Sequence, residues 1–382
     1  MRGRILRLSA FALVASILVT VIVWTFRGTI LSFAGISLDQ GAPGETALVL
    51  RTGFRATVFA QGFANPRFMA VSPRGVLYVA ERGADRVIAL PDADGDGRAD
   101  RTIDVGSGYD CAHSVAFAAD GSLLVAGTTR VTRVTLGRDG NELARTVVAD
   151  GLPAGGAHTT RTILPLPDGS ALLSVGSSCN VCEEADDRRA AVLLLGADGT
   201  TRVFMRGLRN AVGLATDPAT GAAWATDMGR DWLGDDAPPE TVYRLQDGAD
   251  AGWPRCHGGT IVDPEFGSRP SPATGKVGCD GVVAPDATFQ AHSAPLALVF
   301  WRDHVVIAFH GSWNRSAKVG YDVGWMPWRD GPSAPLETLV GGFLSPNGND
   351  STGRPAGLAV GADGALYVSD DKAGIIYRIA TG

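Results

Sequence analysis

Six segments of this chain repeat one plan: polar residues, a short apolar strand, a tight turn, a second apolar strand, and polar residues again. They read NPRFMAVSPRGVLYVAERG from Asn65, CAHSVAFAADGSLLVAGTT from Cys111 and HTTRTILPLPDGSALLSVGSS from His158. RNAVGLATDPATGAAWATDMGR from Arg209, HSAPLALVFWRDHVVIAFHGS from His292 and RPAGLAVGADGALYVSDDKAG from Arg354 complete the set. One or two further β-rich runs follow most of them, such as RVIAL and TVYRL. Four strands per unit, repeated six times with almost no helical periodicity, specify a β-propeller. The last unit stops at GIIYRIATG, one strand short of a full blade. The run GFRATVFAQG, residues 53–62, is expected to supply the missing outer strand, which removes the open sheet edge. The expected fold is therefore an all-β, six-bladed β-propeller over residues 48–382, closed by an N-terminal strand.

Upstream of the repeats, Arg2, Arg4 and Arg7 precede an uncharged apolar run over residues 8–26, about the length that crosses a bilayer. The expectation is one N-terminal transmembrane helix, a signal anchor over 1–27, joined by a linker over 28–47 to a propeller on the periplasmic face of the inner membrane. Cleavage after Ala34 is the alternative, since Ser32 and Ala34 are small residues at a signal-peptidase spacing. Arg27 and the length of the apolar run favour the anchor, which makes the membrane a partner.

The net charge of −6 and the absence of a basic block exclude nucleic acid as a partner. Three lysines, Lys276, Lys318 and Lys372, leave little room for Schiff-base chemistry. Five cysteines face an oxidising compartment in this placement. Cys256 and Cys279 bracket a Gly/Pro-rich loop and are expected to pair. Cys179 and Cys182, in CNVC, are open to three readings: a tight disulfide, a redox pair, or half a zinc site. The missing second CxxC weakens the last.

In a propeller the innermost strand lines the central channel and the second strand runs back beside it, so both polar ends of each repeat share one face. The leading ends bring Asn65, residues 111–113, 158–161, Arg209, Asn210, His292 and Arg354. The trailing ends bring Glu81, Arg82, residues 128–129, 177–182, 227–231, 310–315 and 370–372. Arginines gathered on one face suit an anionic ligand, because guanidinium forks bind carboxylates bidentately. A neutral His158 among them suits a general base; its competing reading is a histidine that caps a loop. Asp227, Asp231, Asp235, Asp236 and Glu240 crowd one loop, read either as a calcium site or as a solvated acidic loop. Asp92, Asp94, Asp96 and Asp100 have the alternate spacing of a calcium loop, although Ile103 stands where an EF-hand has glutamate. They lie on the opposite face, as a structural calcium loop or an Asx-rich turn.

The motifs GSSCNVCEE, LRNAVGLA, GRDWLGDDAPPE, GWPRCHGG, HSAPLAL, HGSWNRS and GRPAGLAVGADGALYVSDDKAGIIYRI together resemble the glucose/sorbosone dehydrogenase family, its L-sorbosone dehydrogenase-like members above all. The resemblance spans nearly all of residues 53–380. It implies a six-bladed propeller that binds pyrroloquinoline quinone (PQQ) through Ca2+ and oxidises a sugar or sugar-derived aldehyde. Electrons would leave to a separate acceptor, a quinone or a cytochrome, since the chain carries no CxxCH haem motif. Carried over by position, His158 is the general base, Arg209, Asn210 and His292 contact the cofactor, and Arg354 grips one of its carboxylates. The backbone carbonyls of Gly229 and Arg230 hold the calcium. Arg161, Arg315 and Asp370 complete the expected cofactor set, and Asp227 the metal set. Val212 stands where a polar residue is usual, Arg230 where proline is common, and only Arg315 or Lys318 can replace an expected lysine. Two rivals remain: a calcium-dependent lactonase, and a non-catalytic propeller that binds a partner or an envelope glycan.

Overall fold

A computed structural model describes residues 48–382. The expected anchor over 1–27 and linker over 28–47 lie outside the described residues. Among the described residues no helix is long and apolar enough to cross a membrane.

Six antiparallel sheets form the blades of a propeller. The innermost strands are Pro66–Val71, Ser114–Phe117, Ile163–Pro165, Ala211–Thr216, Pro295–Trp301 and Pro355–Val360, in blades 1 to 6. Each packs against the innermost strand of the next blade, and the sixth packs against the first, which closes the ring. The second strands, such as Leu77–Glu81, Ala171–Val175 and Leu366–Asp370, are buried along their whole length. A neighbouring blade covers each of their faces, so their sequences read as continuous apolar runs rather than alternating ones. The turn between first and second strands recurs as Asp-Gly. In blade 3, Gly169 adopts φ +87°, open to glycine at little cost, while Asp168 Oδ1 accepts the Ser170 amide at 3.0 Å.

Blade 6 closes as the sequence suggests. Phe54–Gln61 pairs antiparallel with Ile375–Thr381 as the outermost strand, Phe54 opposite Thr381 and Gln61 opposite Ile375. One pairing was not anticipated: Val49–Leu50 adds a fifth strand to blade 5 by pairing with Glu337–Gly341. Blade 4 carries the longest excursion, between Glu240–Arg244 and its outer strand Ala287–Phe289. A short hairpin, Cys256–His257 with Ile261–Val262, lies within it, and Cys256 is disulfide-bonded to Cys279 as expected. Cys179 and Cys182 are also disulfide-bonded, the pairing that the tight-disulfide and redox-pair readings share.

Two large cavities open away from the histidines. An axial cavity of about 470 Å³ is lined by the trailing halves of the innermost strands, among them Val71, Phe117, Leu164 and Val360. Another of about 410 Å³ lies between blades 1 and 2, beside Tyr78, Phe117 and Arg101. Neither contains the residues that carry the candidate chemistry.

Candidate functional site

Acidic residues at the trailing ends of second strands hold the leading ends of first strands, and so align the polar face. Glu81 accepts the Ala64 amide at 2.6 Å, Asp227 the Asn210 amide at 2.7 Å, and Asp370 the Arg354 amide at 2.9 Å. Asp370 Oδ1 also receives the amides of Lys372 and Ala373. Both aspartates are buried; each turns Oδ1 onto backbone amides, and Asp370 Oδ2 is buried without a hydrogen-bond partner. Asp227, expected as a metal ligand, and Asp370, expected as a cofactor contact, therefore each clamp a strand head through Oδ1, and this clamping leaves Oδ2 of Asp370 unused.

His158 stands at the head of blade 3, half-buried. Its Nδ1 lies 3.0 Å from the Ser177 carbonyl and 2.9 Å from the Ser177 hydroxyl. A carbonyl only accepts, so a proton on Nδ1 satisfies it and leaves the Nε2 lone pair available. Desolvation, followed by the charge of Arg209, pushes the imidazole down to about 3, so the ring is neutral at physiological pH. Next to it, Asn210 Oδ1 is buried without a hydrogen-bond partner. Both pack around Gly176, where a Cβ would meet His158 Cβ at 2.5 Å and Asn210 Oδ1 at 2.6 Å.

Arg209 is buried and held by four groups, the weakest of them the Met228 carbonyl at 3.4 Å. It donates to the Asn180 carbonyl and side-chain oxygen, both at 2.9 Å, and to Asp231 at 3.2 Å. His292, at φ +67°, points Nε2 at the Gly234 carbonyl, 2.8 Å away, and Nδ1 toward Asp231 at 3.9 Å. Arg354 donates to the carbonyls of His310 and Gly311 at 2.9 and 2.7 Å, beside the Tyr321 ring. The recess under Arg209 and Gly229 encloses only about 20 Å³, so a ligand of any size must lie on the face rather than in it.

Two expected contacts are spent elsewhere. Arg161 is fully buried and donates to the carbonyls of Pro153, Thr160 and His158, which makes it the support of the His158 loop rather than a ligand contact. Arg315 donates to the Asp235 carbonyl and to the Asp236 carboxylate, tying the loops of blades 4 and 5 together. One group was not singled out from sequence: Asp371 receives Arg67 and, at 3.0 Å, His310 Nε2. The sequence places Asp371 and His310 on the shared face only within longer runs, and the further signal is Arg67 inside the otherwise apolar first strand of blade 1.

The acidic loop is not a carboxylate cluster. Asp231 turns to Arg209, Asp235 to the Ser316 amide, and Asp236 to Arg315. Glu240 accepts the Gly229 amide at 2.8 Å and the Ala294 amide at 3.3 Å. Among the described residues, the Gly229 and Arg230 carbonyls accept no hydrogen bond, which leaves both free for a hard cation. The Arg230 side chain turns away to buried Asp263. On the opposite face, Asp92, Asp94 and Asp96 gather with carboxylate oxygens within 4.8 Å of one another. Asp100 stays apart, accepting the Ala93 amide, while Asp92 caps the amides of Gly95 and Gly97, a geometry that an Asx-rich turn and a cation loop share.

Burial raises Asp227 to about 7 and Glu240 to about 8, against unfolded values of 3.8 and 4.5. Between those limits the folded state holds protons the unfolded chain has released, so stability falls as pH rises. In the presence of a chelator, the urea midpoint is expected to drop between pH 5 and pH 9, and less so in Glu240→Gln. Equal drops in the two proteins would show that Glu240 is not the source.

Residues 48–242 and 257–382 match the family described as TrAA12-like. A pyrroloquinoline quinone-dependent pyranose dehydrogenase of Coprinopsis cinerea is 28% identical, over 86% of this chain and 54% of its own length. The chain thus spans about half the length of that relative. A pyrroloquinoline quinone-dependent sugar dehydrogenase of Hypocrea jecorina is 26% identical, over 87% of this chain and 89% of its own. Among solved structures, the PQQ domain of the Coprinopsis cinerea pyranose dehydrogenase in its holo form superposes with a TM-score of 0.76 at 24% identity, covering 89% of this chain and 98% of that one. The fold is shared, and with a match over most of the propeller this chain belongs to the TrAA12-like family.

Proposed function

We propose that the polar face binds PQQ together with Ca2+, and that the chain oxidises a hydroxyl or aldehyde-hydrate carbon of a sugar or sugar-derived aldehyde such as sorbosone. The observation that carries this reading is the pairing of a neutral His158, its Nε2 unclaimed, with the unpartnered Asn210 oxygen beside a buried arginine. The names of the relatives support it. The donor set fits an anionic quinone: Arg354 commits Nε and Nη2 to carbonyls and keeps Nη1 uncommitted, and Arg209 supplies fixed positive charge. The carbonyls of Gly229 and Arg230 would hold the calcium. When bound, the quinone supplies a two-electron acceptor made more electrophilic by the cation.

The protein's own part is the proton. His158 Nε2 takes it from the substrate hydroxyl as the carbon gives up hydride, and Ser177 keeps the ring in the tautomer that can do so. Electrons then pass to a separate quinone or cytochrome acceptor. We place the propeller on the periplasmic face of the inner membrane, held by its N-terminal apolar run; the two disulfides suit that compartment.

The test is a spectroscopic titration of the purified chain with PQQ, with and without calcium, followed by aldoses and sorbosone. Saturable, calcium-dependent binding and reduction of the quinone by one sugar are expected. Lactone hydrolysis without quinone binding would replace the reading with the lactonase. A further expectation follows from Gly176: Gly176→Ala drives the new methyl into His158 and Asn210. Displacements of about 1 Å at reacting groups cost on the order of 10²-fold in turnover. That loss should appear in stopped-flow quinone reduction, beside a stability loss of about 1–3 kcal/mol from the overpacked contact; an equally fast variant would exclude the pairing.

A further inference from the structure

The disulfide between Cys179 and Cys182 closes a ring over only three sequence positions, and Asn180 lies inside it. This one residue makes five hydrogen bonds to the cofactor face. Its carbonyl accepts Arg209 Nε at 2.9 Å and Trp253 Nε1 at 3.4 Å. Its side-chain oxygen accepts Arg209 at 2.9 Å and the Asp231 amide at 2.8 Å, and its side-chain nitrogen donates to the Asp231 carbonyl at 3.1 Å. The stem of the ring is joined to the general base. Ser177 Oγ donates to the Cys179 carbonyl at 2.7 Å while meeting His158 Nδ1, and the Ser178 carbonyl accepts the Ala157 amide at 2.7 Å. Glu184 braces the same stem through the Ser178 amide and hydroxyl, at 2.6 and 2.8 Å.

A side chain and its own carbonyl can grip one guanidinium together only if the backbone between them is held still. Four residues of open loop have many conformations in which that grip is lost, and ordering them carries an entropic cost that a cross-link removes in advance. We propose that the disulfide-closed turn is the positioning element of the site: Asn180 is a positioning residue that aims Arg209 and Asp231, and the Cys179–Cys182 bond preorganises it. The proposal rests on the cofactor reading for what Arg209 binds, but not for how Arg209 is held.

Full-length wild type, Asn180→Ala, Cys179→Ser/Cys182→Ser and the triple variant decide it with two readouts. The first is PQQ affinity in calcium. The second, which needs no quinone, is the nitrogen-15 signal of the Arg209 Nε–H group, assigned by its loss in Arg209→Lys. Asn180→Ala and the double serine variant should each weaken PQQ by about 10-fold, the scale of a lost hydrogen bond to a charged group. The triple variant should be no worse than either, because both changes break one route. The Arg209 signal should move alike in all three while the melting temperature of Asn180→Ala stays near wild type. Asn180→Asp, which keeps the acceptor oxygen, should recover part of the affinity. Additive losses, or an Arg209 signal unmoved by either Asn180→Ala or the double serine change, overturn the proposal. If the serine variant fails to fold, Asn180→Ala and Asn180→Asp decide by the same signal. If wild type binds no quinone, the cofactor reading fails, and the Arg209 signal alone judges the positioning.

Discussion

His158→Ala is expected to slow substrate oxidation by ~10²–10⁴-fold, the usual contribution of a positioned general base, while PQQ affinity stays close to wild type. The split follows from the geometry. The ring's Nδ1 is committed to Ser177, so its chemistry resides in Nε2, and the positive charge that would hold the quinone comes from Arg209 and Arg354 instead. Single-turnover reduction of bound quinone reads the first effect, and titration reads the second. The pH profile adds a sign. A base works in its neutral form, and desolvation with the Arg209 charge places protonation at about 3 rather than at 6.5. The rate should therefore hold steady through pH 6.5 and fall only as the medium approaches the folded value. An acid limb centred near 6.5 would mean that the base is another group, or that His158 is far wetter than its packing indicates.

Asp371→Ala should cost about 3–5 kcal/mol of stability, because it strands a buried arginine without its counter-ion. Arg67 and Asp371 join the first strand of blade 1 to the end of the second strand of blade 6, and His310 from blade 5 meets the same carboxylate. Burial works to raise the acid, yet the hydrogen bonds and charges of His310 and Arg67 outweigh it and hold Asp371 at about 2. Since the folded value lies below the unfolded 3.8, this contribution is complete above 3.8 and is lost as pH falls through 2. Denaturant titration at neutral pH measures the loss. Asp371→Asn, which keeps an acceptor for Arg67, should lose less than alanine. A neutral alanine variant would show that water replaces the carboxylate at no cost and that the three blades are tied by packing alone.

Much of the fold was legible because a propeller blade is local. Each repeat folds back on itself within about twenty residues, so paired apolar runs and an Asp-Gly turn are enough to mark it. The closure strand was legible for a related reason: the last blade lacks one strand, and only residues 53–62 offer one. Val49–Leu50 was not, since two residues on an edge carry no pattern of their own. The site was legible in part. The shared face follows from strand direction, which places His158, Arg209, Asn210, His292 and Arg354 together. The roles of individual polar groups do not follow from it. Arg161 and Arg209 look alike in sequence, each close to the head of a strand. The first is enclosed by loop carbonyls and the second faces Asn180 and Asp231. Asp370 and Asp371 are neighbours, yet one clamps its own blade and the other reaches Arg67 and His310.

The sequence by itself determined what depends on short separations: the six repeats, their turns, the closure of the ring and the face on which polar residues gather. The tertiary structure decided what depends on partners far apart along the chain. Arg67 meets Asp371 across 304 positions, and Asn180 meets Asp231 across 51. Apolar patterning encodes which surfaces are buried, because burial is non-directional and sums over a strand. A hydrogen bond is directional and lies between two particular atoms, so its partner is settled only once the blades are in place.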